Sequence, residues 1–499
     1  MATTLATPGV YIEEKSSFGS SVVPVQTSIP AFIGYTAMAS RGSKDLTNVP
    51  TRISSLGQFE ELFGGAPSTK FNIESNDTTV GFSLSFVEES RFLLHSSMRL
   101  FYANGGADCY IVSVGGYDEK IDAAKLNDPK GGGLTALEKF LEPTIVVIPD
   151  AILLDENDCY SLQAAMLQHC GYKLKNRFAI LDVYEGAKER TFDEDDAVDK
   201  FRNGVGSNFL QWGASYYPFL NTTIVSKSEI DFTRIANLDG LTEVLSKEVA
   251  QNLEADNITA ARAEGITAEI DKIADTTDAD GVNSLNSTLT VISPSLNLIL
   301  AEISEKLNVL PPSPAMAGAY TMVDSQASVA QSPANISLGS VIAPLVNINN
   351  DNQEELNLPL NGKAVNAIRT FQGKGVLVWG ARTLEGNSKD YRYISVRRTM
   401  TFLEQSIKAA AEAFVFAPNN ATTWSTLRAT VSSFLANQWQ SGLLAGQSAD
   451  DAFSVDIGLG ATMTPNDILD GVLKMTIKVA ITRPAEFIVI TFEQQQQKS

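Results

Sequence analysis

The chain has 499 residues, of which 44% are hydrophobic and 19% charged, an ordinary balance for a globular protein. This length exceeds what one compact core usually holds and predicts two to four domains. The formal net charge of −20 argues against binding to nucleic acid, whose phosphates require basic patches. Residues 366–499 hold 13 Lys/Arg and 11 Asp/Glu, which leaves a net charge of −22 on residues 1–365. We expect an acidic, solvated outer portion and a near-neutral portion engaged in contacts.

Cysteine usage and hydropathy predict a protein that is made and folded in a cytoplasm. The three cysteines, Cys109, Cys159 and Cys170, cannot all pair, and their spacing is typical of a reduced intracellular chain. The first residues lack the basic and apolar regions of a secretory signal. No run of eighteen apolar residues is available to span a membrane.

Each end of the chain carries an apolar, strand-like segment. The apolar residues are Val10, Tyr11 and Ile12 near the start, and Phe487, Ile488, Val489 and Ile490 near the finish. A strand that is apolar on both faces needs a sheet to join, either in its own subunit or in a neighbouring one. Periodicity cannot separate these two pairings, so both stay open, with exchange between copies slightly favoured.

The first quarter of the chain alternates predicted strands and helices. Apolar and small residues alternate over 18–35, which predicts a strand region that ends at Gly34. Helical spacing predicts a helix over 52–64 and a longer one over 82–102. Residues 109–114 follow a glycine-rich break and read as a strand.

The middle section has the pattern of an α/β unit. Residues 144–150 and 178–183 are continuous apolar runs, typical of strands buried on both faces. A predicted helix over 158–171 lies between them, so the two strands should be parallel. Residues 228–310 are acidic and helical in pattern, with a polar break at 275–287.

The last third returns to long amphipathic elements. Apolar spacing predicts a helix over 399–416 and a second helix capped by Thr422 or Thr423. Residues 472–482 alternate cleanly and predict a half-buried strand whose solvated face carries lysines. Its inward residues include Met475, Ile477 and Val479.

Residues suited to catalysis are scarce. His95 and His169 have no neighbouring nucleophile motif, and Cys159 with His169 and Cys170 lacks the paired spacing of a zinc site. We therefore assign no catalytic, cofactor-binding or metal-binding residue and expect a protein that is not an enzyme.

Six short motifs occur in order along the chain. They are 8–14 (PGVYIEE), 32–36 (FIGYT), 104–112 (NGGADCYIV), 379–384 (WGARTL), 393–398 (YISVRR) and 483–487 (RPAEF). Together they resemble the tail sheath proteins of contractile phages and contractile injection systems. The resemblance covers roughly residues 7–112 and 310–493, and it departs from the family pattern at 325–331 and 454–456.

The resemblance implies a mixed α/β fold with an interrupted core. Residues 21–115 and 346–483 would form the two parts of a core sheath domain, with one or more outer domains inserted at 116–345. Residues 1–20 and 484–499 would be extended terminal arms.

The resemblance also implies a structural role. Sheath subunits stack as hexameric rings around an inner tube, their arms add strands to sheets in neighbouring subunits, and contraction drives the tube through a target envelope. The implied partners are copies of the chain, the inner tube protein, and baseplate and tail-terminator or cap proteins, with neither nucleic acid nor membrane insertion. The protein would assemble in the bacterial cytoplasm and become part of a phage tail or tail-like particle.

Residue roles follow from the same resemblance. Val10, Tyr11 and Ile12 would form one donor strand and Phe487, Ile488, Val489 and Ile490 the other, with Met475, Ile477 and Val479 on an acceptor strand. A helix within 399–416 (Glu404, Lys408, Glu412) or 462–471 (Asp467, Asp470) would face the tube, and the sequence does not choose between them. The alternative functions are a soluble α/β enzyme and a monomeric binding protein with self-paired terminal strands.

Overall fold

The computed structural model describes residues 22–75 and 81–490, so Val10, Tyr11 and Ile12 lie outside the described residues. The chain divides into two compact units. The smaller unit contains Thr399–Arg483 together with residues 22–25, and the larger contains Gln26–Arg398 together with 484–490.

The described residues alternate strands and helices along most of their length. The strands are β1 (Pro30–Gly34), β2 (Ser40–Arg41), β3 (Lys44–Asp45), β4 (Thr51–Ile53), β5 (Phe71–Ser75), β6 (Phe82–Phe86), β7 (Cys109–Ser113), β8 (Ile145–Val147), β9 (Phe178–Asp182), β10 (Gly213–Tyr217), β11 (Leu220–Thr222), β12 (Val309–Leu310), β13 (Ile336–Ser337), β14 (Val341–Pro344), β15 (Asn366–Phe371), β16 (Gly375–Trp379), β17 (Phe453–Ile457) and β18 (Met475–Val479). The helices are α1 (Leu56–Phe63), α2 (Leu94–Ala103), α3 (Ala123–Leu126), α4 (Glu156–Gln168), α5 (Ala197–Gly204), α6 (Leu238–Glu254), α7 (Ala260–Ile270), α8 (Ala279–Ile292), α9 (Pro294–Leu307), α10 (Ser313–Gln326), α11 (Asn350–Asn357), α12 (Ile394–Glu412), α13 (Ala421–Gln440), α14 (Ala449–Ala452) and α15 (Pro465–Leu469).

The larger unit is built on one nine-stranded sheet in the order β13-β16-β15-β10-β9-β8-β1-β7-β4. The six strands from β15 to β7 are parallel, and antiparallel strands close both edges. Ile145 lies opposite Phe178, so the predicted parallel pair around the helix α4 is confirmed. Continuous apolar runs form these strands because both faces of the sheet are covered.

Helices cover the sheet on its two faces. Ile33 and Val146 on one face pack with apolar residues of α4 and α5. Phe32 and Val147 on the other face pack with α2 and α10. A third core joins α6, α7, α8 and α9 to the β5–β6 hairpin. The predicted mixed α/β fold class is confirmed, with helix, sheet and helix in three layers.

The two compact units of the chain do not coincide with the domain segments predicted from the sequence. The strands β8, β9 and β10 belong to the predicted insertion 116–345, yet they lie between β15 and β1 in the middle of the sheet. Residues 346–398 belong to the larger unit and not with 399–483. The physical reason is strand pairing: apolar strands buried on both faces join one sheet whatever their order along the chain. The division into core and outer portions stays a prediction about the assembled protein.

The long helix predicted over 82–102 is wrong in its first part. Phe82, Leu84 and Phe86 alternate with serines at period two, and this segment forms β6, antiparallel to β5. Helix begins only at Leu94, as α2. Alternation over five residues decides for a strand because it places Leu84 opposite Ile73 in the third core.

Three further boundaries differ from prediction. The polar break expected at 275–287 is shorter, because Asp278 caps α8, which begins at Ala279. The cap of α13 is Asn420, whose side chain accepts from the Thr422 and Thr423 N–H groups. The predicted strand 472–482 shortens to β18. Among the described residues, no helix combines the length and apolarity that crossing a membrane requires.

Candidate assembly surfaces

The C-terminal segment of the larger unit leaves a run of apolar side chains uncovered. Phe487, Ile488, Val489 and Ile490 expose 68%, 79%, 89% and 69% of their surface. None of the four lies in a strand of this chain. Single exposed apolar residues are common, whereas a contiguous exposed run marks an interaction surface.

The residue just before this run is held firmly. The Glu486 carboxylate accepts from Arg382 Nε at 3.0 Å and Nη2 at 2.7 Å, a bidentate pair. Asn357 Nδ2 donates at 2.8 Å and the Tyr393 hydroxyl donates at 2.9 Å. Burial raises the pKa of Glu486, but the hydrogen bonds from Arg382 and Asn357 outweigh it and hold the pKa below its usual value. The carboxylate is therefore charged, with both oxygens satisfied.

Three separate segments supply these donors. Asn357 ends α11, Arg382 follows β16, and Tyr393 immediately precedes α12 and bridges to Arg382. The Arg382 side chain is only 1% exposed and also donates to the Asn357 carbonyl at 3.1 Å. Sequence reasoning missed this cluster as a site, although one carboxylate among the apolar residues of the arm was a visible signal.

The smaller unit ends in a hairpin of two strands. β17 pairs antiparallel with β18, so that Val455 lies opposite Ile477. Met475, Ile477 and Val479 are half-buried, while Thr476 and Lys478 between them are exposed, which confirms the predicted alternation. A two-stranded hairpin is marginally stable by itself. The acceptor role of β18 stays a prediction.

The two sets of candidate tube-facing residues differ in their surroundings. Glu404, Lys408 and Glu412 are exposed and follow one another at four-residue spacing along α12. Asp467, in contrast, accepts from the Thr464 N–H at 2.8 Å and pairs with Lys474 at 2.5 Å.

The partners of Asp467 fix its charge. The hydrogen bond from Lys474, followed by those from Thr464, lowers the pKa of Asp467 to about 2. Asp470 is exposed at the end of the five-residue helix α15. The long helix thus presents a charged stripe along its exposed side, while α15 is a single short turn.

The histidines and cysteines lie in the interior. His169 Nε2 is 3.3 Å from Arg177 Nη1, and burial together with the Arg177 charge lowers the pKa of His169 to about 3. His95 is buried against Glu60. All three cysteines are buried thiols. Across residues 22–75 and 81–490, no three His, Cys, Asp or Glu side chains are grouped so that they could hold a metal ion.

Residues 387–495 match the family model of the phage tail sheath C-terminal domain. The structure is similar to the PVC sheath complex of an extracellular contractile injection system in its contracted state, with 26% identity, a TM-score of 0.60 and 99% of each chain covered. The chain therefore carries a sheath C-terminal domain and resembles contractile sheath proteins over nearly its whole length. Among curated protein sequences, none matches it.

Two further sheath-related structures are similar over nearly the whole chain. The helical sheath of the anti-feeding prophage (AFP) in its contracted state shares 26% identity at a TM-score of 0.60, covering 99% of this chain and 100% of that one. A chain of the contracted AFP baseplate shares 25% identity at a TM-score of 0.64, covering 98% and 99%. These matches include residues 116–310 of this chain, where the sequence motifs are absent.

Proposed function

We propose that this chain is the structural subunit of a contractile sheath, which stacks as six-membered rings around an inner tube. Shortening of the sheath would drive the tube through a target envelope. The match to the phage tail sheath C-terminal domain and the similarity to sheath and baseplate assemblies of injection systems support this role. Assembly would take place in a bacterial cytoplasm, with an inner tube protein, a baseplate and a terminator or cap protein as partners.

The exposed apolar run after Glu486 carries the proposal. Phe487–Ile490 would add a strand to the hairpin β17–β18 of a neighbouring copy, because a strand apolar on both faces is stable only inside a sheet. Residues 10–12 would do the same from the other end of the chain. The donor and the acceptor are different surfaces, so each contact leaves a new one open, and the contact generates a helical stack.

For the contact with the tube we favour α12 over α15. Glu404, Lys408 and Glu412 form an exposed stripe along a helix of 19 residues, whereas α15 has only five residues and offers no comparable stripe. Exposed ion pairs contribute about 0–1 kcal/mol each. Contacts of this strength hold the tube in register and break readily when the sheath moves.

The acidic helices support an outward-facing position for part of residues 116–345. Residues 238–307 contain thirteen Asp/Glu and four Lys/Arg, and the helices α6 to α9 enclose a core of their own. A strongly acidic surface favours contact with water over contact with an equally acidic copy. We propose that these helices form an outer portion of the assembled sheath.

Negative-stain microscopy of the purified chain tests the proposal. The expected result is long hollow cylinders. A monodisperse particle of 53.7 kDa that never polymerises, at high protein concentration and with the tube protein added, would sink it.

A further inference from the structure

Between the last strand pair and the arm, the chain passes from one compact unit to the other within four residues, from Thr482 to Glu486. Ile481 bridges to Leu444, and the Thr482 N–H donates to the Leu443 carbonyl at 3.1 Å, both within the smaller unit. Glu486 makes its four bonds within the larger unit. The arm therefore starts from Glu486 and not from the hairpin.

The other end of the described chain makes the opposite change. The Val25 N–H donates to Ser406 Oγ at 3.1 Å within the smaller unit. Two residues later, the Thr27 hydroxyl donates to Asp324 at 2.5 Å, and Arg398 donates to the Thr27 carbonyl at 3.0 Å, all within the larger unit. The described N-terminal residues 22–25 therefore belong to the smaller unit.

We infer that Glu486, fastened by Arg382, is the positioning residue of the C-terminal arm and roots this arm in the larger unit, while the N-terminal segment is rooted in the smaller unit. The inference rests on the proposed function. Each neighbour would then be tied to a different body of the subunit.

The bonding of Glu486 suits a fixed origin. A bidentate arginine sets direction as well as distance, and Tyr393 and Asn357 occupy the remaining lone pairs of the carboxylate. The arginine is 1% exposed, so loss of the carboxylate would leave a buried charge without its partner. The Glu486–Arg382 pair therefore fastens the base of the arm, at the residue that immediately precedes the exposed apolar run.

The test separates positioning from general stability by measuring both. Glu486→Gln keeps the size and one acceptor oxygen but loses the charge that faces Arg382. Glu354→Gln, on the exposed side of the same α11 helix that carries Asn357, is the matched control. The rate of chymotryptic cleavage after Phe487 is measured in the unassembled subunits, together with the melting temperature and the yield and diameter of cylinders.

We expect cleavage after Phe487 to become about ten-fold faster in Glu486→Gln, because the protease binds an extended segment and must first release residue 486 from Arg382. The melting temperature should fall by a few degrees, and cylinders should become fewer and uneven in diameter. Glu354→Gln should match the unmodified chain in all three measurements. Tyr393→Phe, which removes one of the four bonds, should change the cleavage rate in the same direction by a smaller factor.

Two outcomes overturn the inference. An unchanged cleavage rate after Phe487 in Glu486→Gln would show that the arm is held by other contacts. Faster cleavage with normal cylinders would show that the Glu486–Arg382 pair does not position the arm in the polymer. If the unmodified chain forms no cylinders at all, the proposed function fails, while the cleavage rate still reports whether Glu486 holds the base of the arm.

Discussion

The nine-stranded sheet and the C-terminal surfaces differ in how far their apolar side chains are buried within one chain. Ile33, Val146 and Ile180 in the sheet are at most 1% exposed, and helices of the same chain cover both faces. Beyond Glu486, four successive apolar residues expose 68% to 89% of their surface, and the hairpin β17–β18 has only two strands. The sheet is complete within one chain, and the C-terminal surfaces are the kind that a second chain completes.

The energies explain why such a contact would belong to a polymer. Burying a side chain such as Phe, Ile or Val contributes about 1.5–3 kcal/mol, as an upper estimate. Ordering the backbone of each residue costs about 1–2 kcal/mol. The net gain from one arm is therefore modest. It becomes decisive when the same contact is repeated at every subunit of a stack.

Removal of the C-terminal arm should have the largest effect, because it should abolish assembly while the closed sheet stays folded. A chain that ends at Glu486 keeps the nine-stranded sheet and the Glu486–Arg382 pair but loses every exposed apolar residue of the arm. We therefore expect a folded subunit that forms no cylinders. Circular dichroism and negative-stain microscopy check the two halves of this expectation. A chain that ends at Phe492 removes only the polar tail and serves as the control. Loss of folding in the shorter chain would instead indicate a self-paired strand.

A matched pair of truncations to alanine should sharpen the contrast. Ile180→Ala opens a cavity in the closed sheet and should lower the free energy of unfolding of the isolated subunit by about 2–5 kcal/mol. Ile477→Ala, on the half-buried face of β18, should lower it by about 1 kcal/mol or less and act mainly on cylinder yield.

Urea unfolding of unassembled subunits, followed by sedimentation of assembled ones, measures both quantities in this pair. Equal losses of subunit stability would contradict the view that the hairpin is completed only in the polymer. Normal cylinders from Ile477→Ala would speak against β18 as the acceptor strand.

Charge reversal along α12 should leave the sheath intact and weaken its grip on the tube. With Glu404→Lys, Lys408→Glu and Glu412→Lys combined, we expect binding of tube protein to fall about ten-fold, as for a few surface ion pairs. Asp470→Lys should have little effect. Co-sedimentation at low and high salt measures the change, and the reverse ranking of the two variants would move the contact to α15.

The smallest expected effect is a pH dependence confined to the closed sheet. Asp182, at the end of β9, is buried and accepts from the Ser313 N–H at 2.8 Å, yet burial raises its pKa to about 7. The folded state therefore binds the proton more tightly than the unfolded state does, so this group adds stability at low pH, which is lost as the pH rises through 7. The slope is at most about 1.4 kcal/mol per pH unit.

Asp182→Asn should flatten this part of the stability curve between pH 5 and 8, while the exposed Asp275→Asn should leave it unchanged. Urea unfolding across that range is the measurement. A steeper fall at acid pH, removed by the substitution, would show a depressed pKa instead.

Prediction from sequence succeeded where a pattern is local. Continuous apolar runs indicated β8 and β9, because a strand covered on both faces has no solvated positions. Alternation indicated the half-buried face of β18. The strand β6 was missed because its five residues resembled the start of the helix that follows, and only pairing with β5 decides between them.

The Glu486–Arg382 ion pair is a feature that sequence patterns do not predict. Glu486 and Arg382 are 104 positions apart, and no periodicity links them. Both lie in motifs that resemble the sheath family, but the motifs do not say that the two side chains meet. The inserted segment 116–345 is a similar case, since its strands join the middle of a sheet whose other strands come from both sides of the insertion.

The sequence by itself determined the mixed α/β class, the apolar arm, the alternating strand β18 and the resemblance to sheath proteins, because each depends on residues that are close together in the chain or on ordered motifs. Only the tertiary structure decided which strands share a sheet, which carboxylate is pinned, and from which compact unit each terminal segment starts. These depend on burial and on charges brought together across a hundred residues or more, and burial is a property of the folded chain.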